Sequence, residues 1–302
     1  MRVALIIPTC DAGPLWQRVL AEIAAQRRQP DRKLLIDSAS RDDTPALART
    51  AGFEVLGIAQ ADFDQGGTRQ LGAAYCADCD VLIYMTQDVL LANPDAFTQL
   101  LAAFADPRVA IAYGRQLPRA GATPIEAHAR AFNYPATSHV RTLADAARLG
   151  FKAAFSSDAF GAYRRAALLE AGGFPPRIIF GEDSHAAATL LLRAWKIAYC
   201  AEACAAHSHD YSVPQEFRRY FDIGVFHQAE AWMLEKFGSP GGEGRRFVQS
   251  ELAFLRRSAP ILMPEALLRT LAKWLGYQLG RRERLLPQFA KRAFSMNRGY
   301  WK

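Results

Sequence analysis

Three acidic positions each follow a short apolar run. Asp37 follows Leu34-Leu35-Ile36, Asp88 comes soon after Val81-Leu82-Ile83-Tyr84, and Glu182-Asp183 follows Ile178-Ile179-Phe180-Gly181. In an open α/β sheet, ligands sit beyond the carboxyl ends of the strands, so acids carried there by separate strands converge on one cleft. One such acid can bind a base or ribose, one can hold a divalent cation, and one can take a proton. That combination suits group transfer from a metal-bound nucleotide diphosphate.

Each position also has a plainer reading. Asp37-Ser38-Ala39-Ser40-Arg41-Asp42-Asp43-Thr44 can present a carboxylate to a nucleoside, or form a turn whose Ser and Asp side chains bond their own backbone. Thr86-Gln87-Asp88 can hold a cation or cap the helix expected after Pro94. Glu182 and Asp183 can partner a helix dipole, or Asp183 can stand exposed as a general base while Glu182 points elsewhere. Phe63 to Gly72 is a Gly-rich helix entry whose backbone N–H groups and Arg69 suit an anion; helix–sheet packing is the alternative. It is neither a dinucleotide fingerprint nor a P-loop, because the first strand is followed by Pro8-Thr9-Cys10-Asp11 and no Gly-Lys-Ser/Thr occurs there. His207 and His209 are two residues apart after a strand, and in extended chain they face opposite ways, so one is expected to reach any given site.

The elements that position these residues alternate. Strands are expected at residues 3–7, 33–37, 54–58 and 81–84, with helices at 14–28, 44–51, 68–76 and 94–104. The alternation predicts a parallel sheet flanked by helices. Residues 115–150 read as an irregular acceptor-side excursion with few clear strands. Strands follow within 153–163, at 197–200 and at 203–206, with helices at 165–171 and 182–194. From residue 213 onward the pattern is helical, cut into about four helices by Pro240-Gly241-Gly242, Pro260, Pro264 and Pro287.

Bulk properties narrow the class. The 302 residues are 50% hydrophobic and 22% charged, ordinary for a globular chain. The N-terminal apolar run is too short for a signal peptide, and no uncharged run reaches the ~18 residues of a membrane span, so a cytoplasmic protein is expected. Five cysteines, including Cys76-x-x-Cys79 with Cys200 and Cys204, read better as small buried hydrophobes than as a zinc set or disulfide framework. The net charge of +7 is uneven: residues 240–302 alone carry nine more basic than acidic residues, interleaved with Leu267, Leu268, Leu271, Trp274 and Leu275. Such a tail suits an anionic surface, with a solvated helical face as the alternative. No nucleic-acid-reading motif accompanies it.

Taken in order, these segments resemble the family 2 glycosyltransferases over about residues 1–235. Val3 to Thr9 resembles the opening Ile-Ile-Pro-Thr strand. Residues 37–44 resemble the D-N/S-x-S-x-D-x-T nucleotide loop. Asp88 falls at the last acid of the D-x-D metal motif. Gly181-Glu182-Asp183 resembles the segment whose Asp serves as base, and His207 with Ser212 the late H-x(4)-S element. Residues 63–72, Thr86-Gln87-Asp88 and residues 219–224 are similar to the bacterial rhamnosyltransferase branch, although Asp64-Gln65 stands where that branch often has His, and Thr86 replaces the first carboxylate of D-x-D.

The resemblance implies an α/β GT-A fold. A catalytic domain would span residues 1–212, with a nucleotide half to about 115 and an acceptor half after it, and residues 213–302 would form a basic helical region. It implies an inverting glycosyltransferase with Asp183 as base, and a Mg2+ or Mn2+ ion on Asp88 and His207. Thr9, Asp11, Asp37, Gly66, Gly67, Arg69, Gln87 and Asp88 would bind the donor, implied to be dTDP-L-rhamnose. The acceptor would be a glycan or lipid-linked precursor at the inner membrane surface. A UDP- or GDP-sugar donor, or a catalytically silent nucleotide-sugar-binding subunit, are the rival readings.

Overall fold

A computed structural model describes residues 1–238 and 241–301. Its centre is a nine-stranded sheet with the order β3-β2-β1-β4-β8-β6-β9-β5, and β7 pairing with β9. The strands are β1 (Val3–Thr9), β2 (Arg32–Asp37), β3 (Glu54–Gly57), β4 (Val81–Met85), β5 (Leu90–Leu91), β6 (Val109–Leu117), β7 (His139–Arg141), β8 (Phe160–Arg164) and β9 (Lys196–Ala206). β1, β2 and β4 are buried on both faces, which is why they read as unbroken apolar runs.

The first half obeys the expected parallel rule: β1 pairs parallel with β2 and β4, and β2 with β3. The second half makes the sheet mixed. β8 lies antiparallel between β4 and β6, while β5 and β7 lie antiparallel to β9. β6 is a nine-residue central strand that the sequence did not announce, and its last three residues run into the stretch 115–150 expected to be irregular. Its Val-Ala-Ile-Ala-Tyr-Gly start mixes strand formers with Ala and Gly and shows no apolar–polar alternation, because both faces are buried. The two short strands expected at 197–200 and 203–206 are one strand, β9, whose register against β6 shifts beside Gly114 and Arg115. A chain break was anticipated where there is a β-bulge.

Helices cover both faces: α1 (Trp16–Ala24), α2 (Thr44–Thr50), α3 (Gln65–Tyr75), α4 (Ala96–Leu101), α5 (Pro124–Asn133), α6 (Ala146–Leu149), α7 (Arg165–Glu170) and α8 (Glu182–Leu192). Residues 178–181 are not a strand. Pro175-Pro176 and Arg177, with φ +54°, break the chain there, and Ile178 and Ile179 are apolar because they sit in the core as loop residues. Cys76, Cys79 and Cys200 are buried, with thiols pushed up by burial, as small hydrophobes should be.

The C-terminal helices are α9 (Val213–Ala229), α10 (Ala231–Phe237), α11 (Gly241–Ser258), α12 (Met263–Gly280) and α13 (Gln288–Phe294), five among the described residues. The break expected at Pro240 lies outside the described residues. Phe221, Val225, Phe226, Met233, Phe237 and Trp301 share one apolar core with α8 and β4. The tail is thus packed into the same core as the sheet. α9 and α12 meet at glycines: a Cβ on Gly276 would lie 2.2 Å from the Phe217 carbonyl, and one on Gly280 2.1 Å from that of Phe221.

Candidate active site

The carboxyl ends of β1 and β2 carry two loops laced together by side chains. Asp37 is buried and accepts from Thr9 Oγ1 at 3.3 Å, from Ser40 Oγ at 2.6 Å and from the Ser40 N–H at 3.0 Å. Asp11 has φ +46°, a left-handed conformation that Asp tolerates better than most residues. Its N–H donates to Ser40 Oγ at 2.9 Å, and its carboxylate accepts from the Arg41 N–H at 2.6 Å. Asp42 and Thr44 accept from the backbone of Gly13 and Ala12. Gln87 clamps the same loop, accepting from the Cys10 N–H at 2.8 Å and donating to the Cys10 carbonyl at 3.1 Å. Thr9, Asp11, Asp37 and Gln87 are therefore brought together. The turn reading of residues 37–44 is realised in these bonds, and it builds a rigid rim at the end of the sheet.

A second centre gathers around Asp88. His207 Nε2 lies 3.5 Å from Asp88 Oδ1 and His209 Nε2 lies 3.6 Å from Oδ2, with the two ring nitrogens 3.1 Å apart. Both histidines reach the acid, contrary to the expectation that alternation would admit one. β9 ends at Ala206, so the chain from 207 is not extended strand and the period-two rule does not apply. The Asp88 carboxylate also accepts from Thr86 Oγ1 at 2.8 Å.

His207 is held in a defined tautomer. Gln116 Oε1 accepts from Arg130 at 2.7 Å and Gln116 Nε2 donates to Ser157 at 2.7 Å, so the oxygen faces His207 Nδ1, 2.9 Å away. Nδ1 must then carry the proton, leaving the Nε2 lone pair aimed at Asp88. Burial pushes the His207 ring down to about 3, so it is neutral at neutral pH. Burial raises the Asp88 carboxyl, but His207, Thr86 and His209 outweigh that and hold it below its usual value. One carboxylate and two imidazoles, with ligand atoms all within 4.8 Å of one another, form a donor set that fits a divalent cation.

The third centre is a buried charge cluster at the start of α8. Arg69 Nε lies 2.9 Å from Asp158 and its Nη1 3.0 Å from Glu182. Asp183 Oδ2 accepts from the Asp158 N–H at 3.4 Å and Oδ1 from the Ser184 N–H at 2.6 Å. Two carboxylates thus pair with one guanidinium, and a third, Asp183, stands beside them. Burial first, then the charges of Glu182 and Asp158, hold the Asp183 carboxyl well above the usual carboxylate range. Burial pushes Asp158 up to about 6. Glu182 pairs with Arg69, which Asp183 does not, yet its charge still acts on Asp183. Arg69 is 5% exposed and bound on both sides by acids, so its guanidinium is turned inward, not to a phosphate path.

The glycines of α3 act in packing. Gly66 and Gly67 lie in the helix's first turn, because Asp64 is the N-cap and accepts from the Gly67 N–H at 2.8 Å. A Cβ on Gly66 would sit 1.8 Å from the Pro175 carbonyl.

The second and third centres adjoin one segment, residues 156–159. The Thr86 N–H donates to the Ala159 carbonyl at 3.3 Å, Ser157 accepts from Gln116, and Asp158 adjoins Asp183. Beside Asp88 opens a cleft of about 380 Å³ lined by Arg119, Gly121, Ser208, His209, Tyr211 and Gln215 among others. Arg119, Gln116, Asp158 and His209 went unassigned in the sequence. The first three lie far from any motif and gather only through the β6–β8–β9 pairing, which no local pattern announces.

Residues 4–172 match the family described as glycosyl transferase family 2. Over 302 residues the chain is 47% identical to the O-antigen chain rhamnosyltransferase RfbN of Salmonella typhimurium, covering 100% of this chain and 96% of that one. It is 43% identical over 298 residues to the O-antigen chain rhamnosyltransferase WbaN of Salmonella anatum, covering 98% and 95%. Among solved structures, the mannosyltransferase PcManGT from Pyrobaculum calidifontis, in complex with GDP-Man and Mn2+, superposes with a TM-score of 0.58 at 19% identity, over 99% of this chain and 84% of that one. S. aureus TarS superposes at 0.52 and 15% identity, over 94% and 92%. At these identities the structural likeness speaks for the fold alone, which is GT-A.

Proposed function

This chain belongs to glycosyl transferase family 2, and from that premise we propose that it moves L-rhamnose from dTDP-L-rhamnose, with inversion, onto a hydroxyl of a lipid-linked glycan precursor. The observation that carries the donor is the 47% identity along the whole chain to an O-antigen chain rhamnosyltransferase.

Asp183 takes the proton of the acceptor hydroxyl as that oxygen attacks the anomeric carbon. A carboxylate raised by burial and like-charged neighbours is a stronger base than an ordinary surface Asp, which suits proton abstraction near neutral pH. Arg69 keeps the cluster from carrying three uncompensated charges and fixes Glu182 and Asp158 around the base. Thr9, Asp11 and Asp37 shape the nucleoside rim, and Gln87 holds that rim to the Asp88 loop. Asp88, His207 and His209 would hold Mn2+ or Mg2+. When bound, such an ion supplies Lewis-acid stabilisation of the departing diphosphate. Gly66 and Gly67 serve the site indirectly: Gly66 lets α3 close against Pro175 and Ile178, and Gly67 leaves room for the capping Asp64 side chain. The exposed Leu267, Leu268, Leu271, Trp274 and Leu275 of α12 rest on the inner membrane surface, where a lipid-linked acceptor is presented.

A thermal-shift panel of dTDP, UDP and GDP and their sugars, with and without Mn2+, tests the donor. A ligand that binds the native state raises its melting temperature. dTDP and dTDP-rhamnose are expected to give the largest rise. A clear preference for a UDP or GDP ligand would remove the rhamnosyl assignment and leave the fold assignment standing.

A further inference from the structure

Arg119 sits where a metal-bound donor must arrive. Its Nη2 lies 3.0 Å from Asp88 Oδ2, the oxygen that also faces His209, and donates to the Asp88 carbonyl as well. Its Nε–H is buried without a hydrogen-bond partner. The residue follows β6 in a short connection before α5, its own N–H donates to Ser208, and it lines the cleft beside the histidines.

A divalent cation held by Asp88 and the two Nε2 atoms would meet this guanidinium at the same carboxylate. Two cations drawn to one carboxylate repel each other, so the guanidinium and the metal ion compete for it. A diphosphate entering with the cation offers the displaced guanidinium several anionic oxygens. The planar fork of Arg matches them, and the unpartnered Nε–H gains an acceptor.

We propose that Arg119 occupies the cation position on Asp88 in the nucleotide-free enzyme and transfers to the donor diphosphate when cation and nucleotide bind. One side chain then does two things. It opposes capture of a metal ion alone, and it adds a diphosphate contact that Asp88 and the histidines do not supply. The proposal rests on the reading of Asp88, His207 and His209 as a cation site.

The test is a pair of titrations on the full chain, parent against Arg119→Gln, with Arg119→Lys as a second variant and far-UV circular dichroism as the check on folding. Mn2+ alone is titrated first, followed by paramagnetic resonance of free Mn2+. The nucleoside diphosphate the parent binds best, expected to be dTDP, is then titrated at saturating Mn2+ by calorimetry. Arg119→Gln should bind Mn2+ alone about tenfold or more tightly than the parent, and bind the nucleotide about tenfold or more weakly, as for one charge-assisted contact. Arg119→Lys keeps the charge without the fork, so it should keep the parent's weak Mn2+ binding and lose part of the nucleotide affinity. Unchanged or weaker Mn2+ binding by Arg119→Gln, or an unchanged nucleotide affinity, would overturn the proposal. A parent that binds no Mn2+ even with nucleotide would instead remove the cation site on which it rests.

Discussion

Asp183 differs in kind from the acids around it, because it alone in the cluster has no direct pair with Arg69. A general base acts on the acceptor hydroxyl, so Asp183→Asn should lower transfer by about 10²–10⁴-fold and leave donor binding near the parental value. Both are measurable on one folded preparation. Near-parental transfer would move the base elsewhere. Glu182→Gln is a poor control, since it removes a buried partner of Arg69 and breaking such a pair costs about 3–5 kcal/mol. The more informative companion is Asp158→Asn, read through the pH profile. Asp183 and Asp158 both have raised native values, so the folded protein holds protons there that the unfolded chain releases. Their contribution to stability is complete at low pH and is lost as pH rises through the folded values. Activity runs the other way, because the base must be ionised, so the acid limb of kcat/KM should lie above the ordinary carboxylate range. The charged groups facing Asp183 are Glu182, Asp158 and Arg69. Removing the Asp158 charge leaves Arg69 to offset Glu182 and Asp183 alone, so the limb should move to lower pH. A limb that stays in place would exclude Asp158 from setting the base.

At the scale of elements, legibility depended on whether a segment's role was local. β1, β2 and β4 were readable because strands buried on both faces are continuous apolar runs, and their tips carried Thr9, Asp37 and Asp88 into view. β6 and the continuity of β9 were not readable, because an Ala-rich run beside a bulge resembles loop or helix as much as strand. The residues those strands deliver, Gln116, Arg119, Asp158 and the second histidine, stayed hidden with them. Helix contacts show the same divide. Gly224, Gly276 and Gly280 fall at ordinary helical positions, yet α9 and α12 touch there backbone to backbone. A Cβ on Gly280 meets the Phe221 carbonyl at 2.1 Å, and neither backbone can yield as a flexible side chain would. Gly280→Ala should therefore destabilise the protein by about 1–3 kcal/mol, the usual cost of overpacking, seen as a lower urea midpoint. Gly244→Ala on α11 is the matched control, since nothing lies within 4 Å of its Cβ position. It should be neutral or gain up to about 1 kcal/mol of helix stability. Equal effects of the two would mean that the α9–α12 contact has slack.

For the whole molecule the open question is what α12 faces. Its inner side, Ala266, Ala272, Gly276 and Gly280, packs into the protein. Its outer side presents Leu267, Leu268, Leu271, Trp274 and Leu275 at helical spacing, each 41–57% exposed. Part of the tail's basic excess is consumed internally, because Arg269 and Lys273 pair with Glu216. Arg256, Arg257, Arg282 and Arg284 remain exposed near the two ends of the helix. An apolar stripe bracketed by cations fits an anionic bilayer, whereas a second copy of the same face would bring like charges together. No helix among the described residues is long and apolar enough to cross a membrane, so contact through this face would be peripheral. Deleting residues 240–302 would not test this cleanly. It strips α12 from α9 and removes Trp301, which packs on Phe221, so lost binding could follow from lost folding. Exposed side chains can be changed without that cost. Leu271→Ser with Trp274→Ser should fold as the parent does and bind anionic vesicles about tenfold or more weakly, because two apolar side chains no longer leave water on docking. The parent's binding should fall with added salt, since exposed charges are screened beyond ~8 Å at physiological ionic strength, and should be weak on zwitterionic vesicles. Equal binding by parent and double variant in a vesicle flotation assay would sink the membrane reading of this face. Sedimentation showing a parent dimer that the variant lacks would assign the stripe to self-association instead.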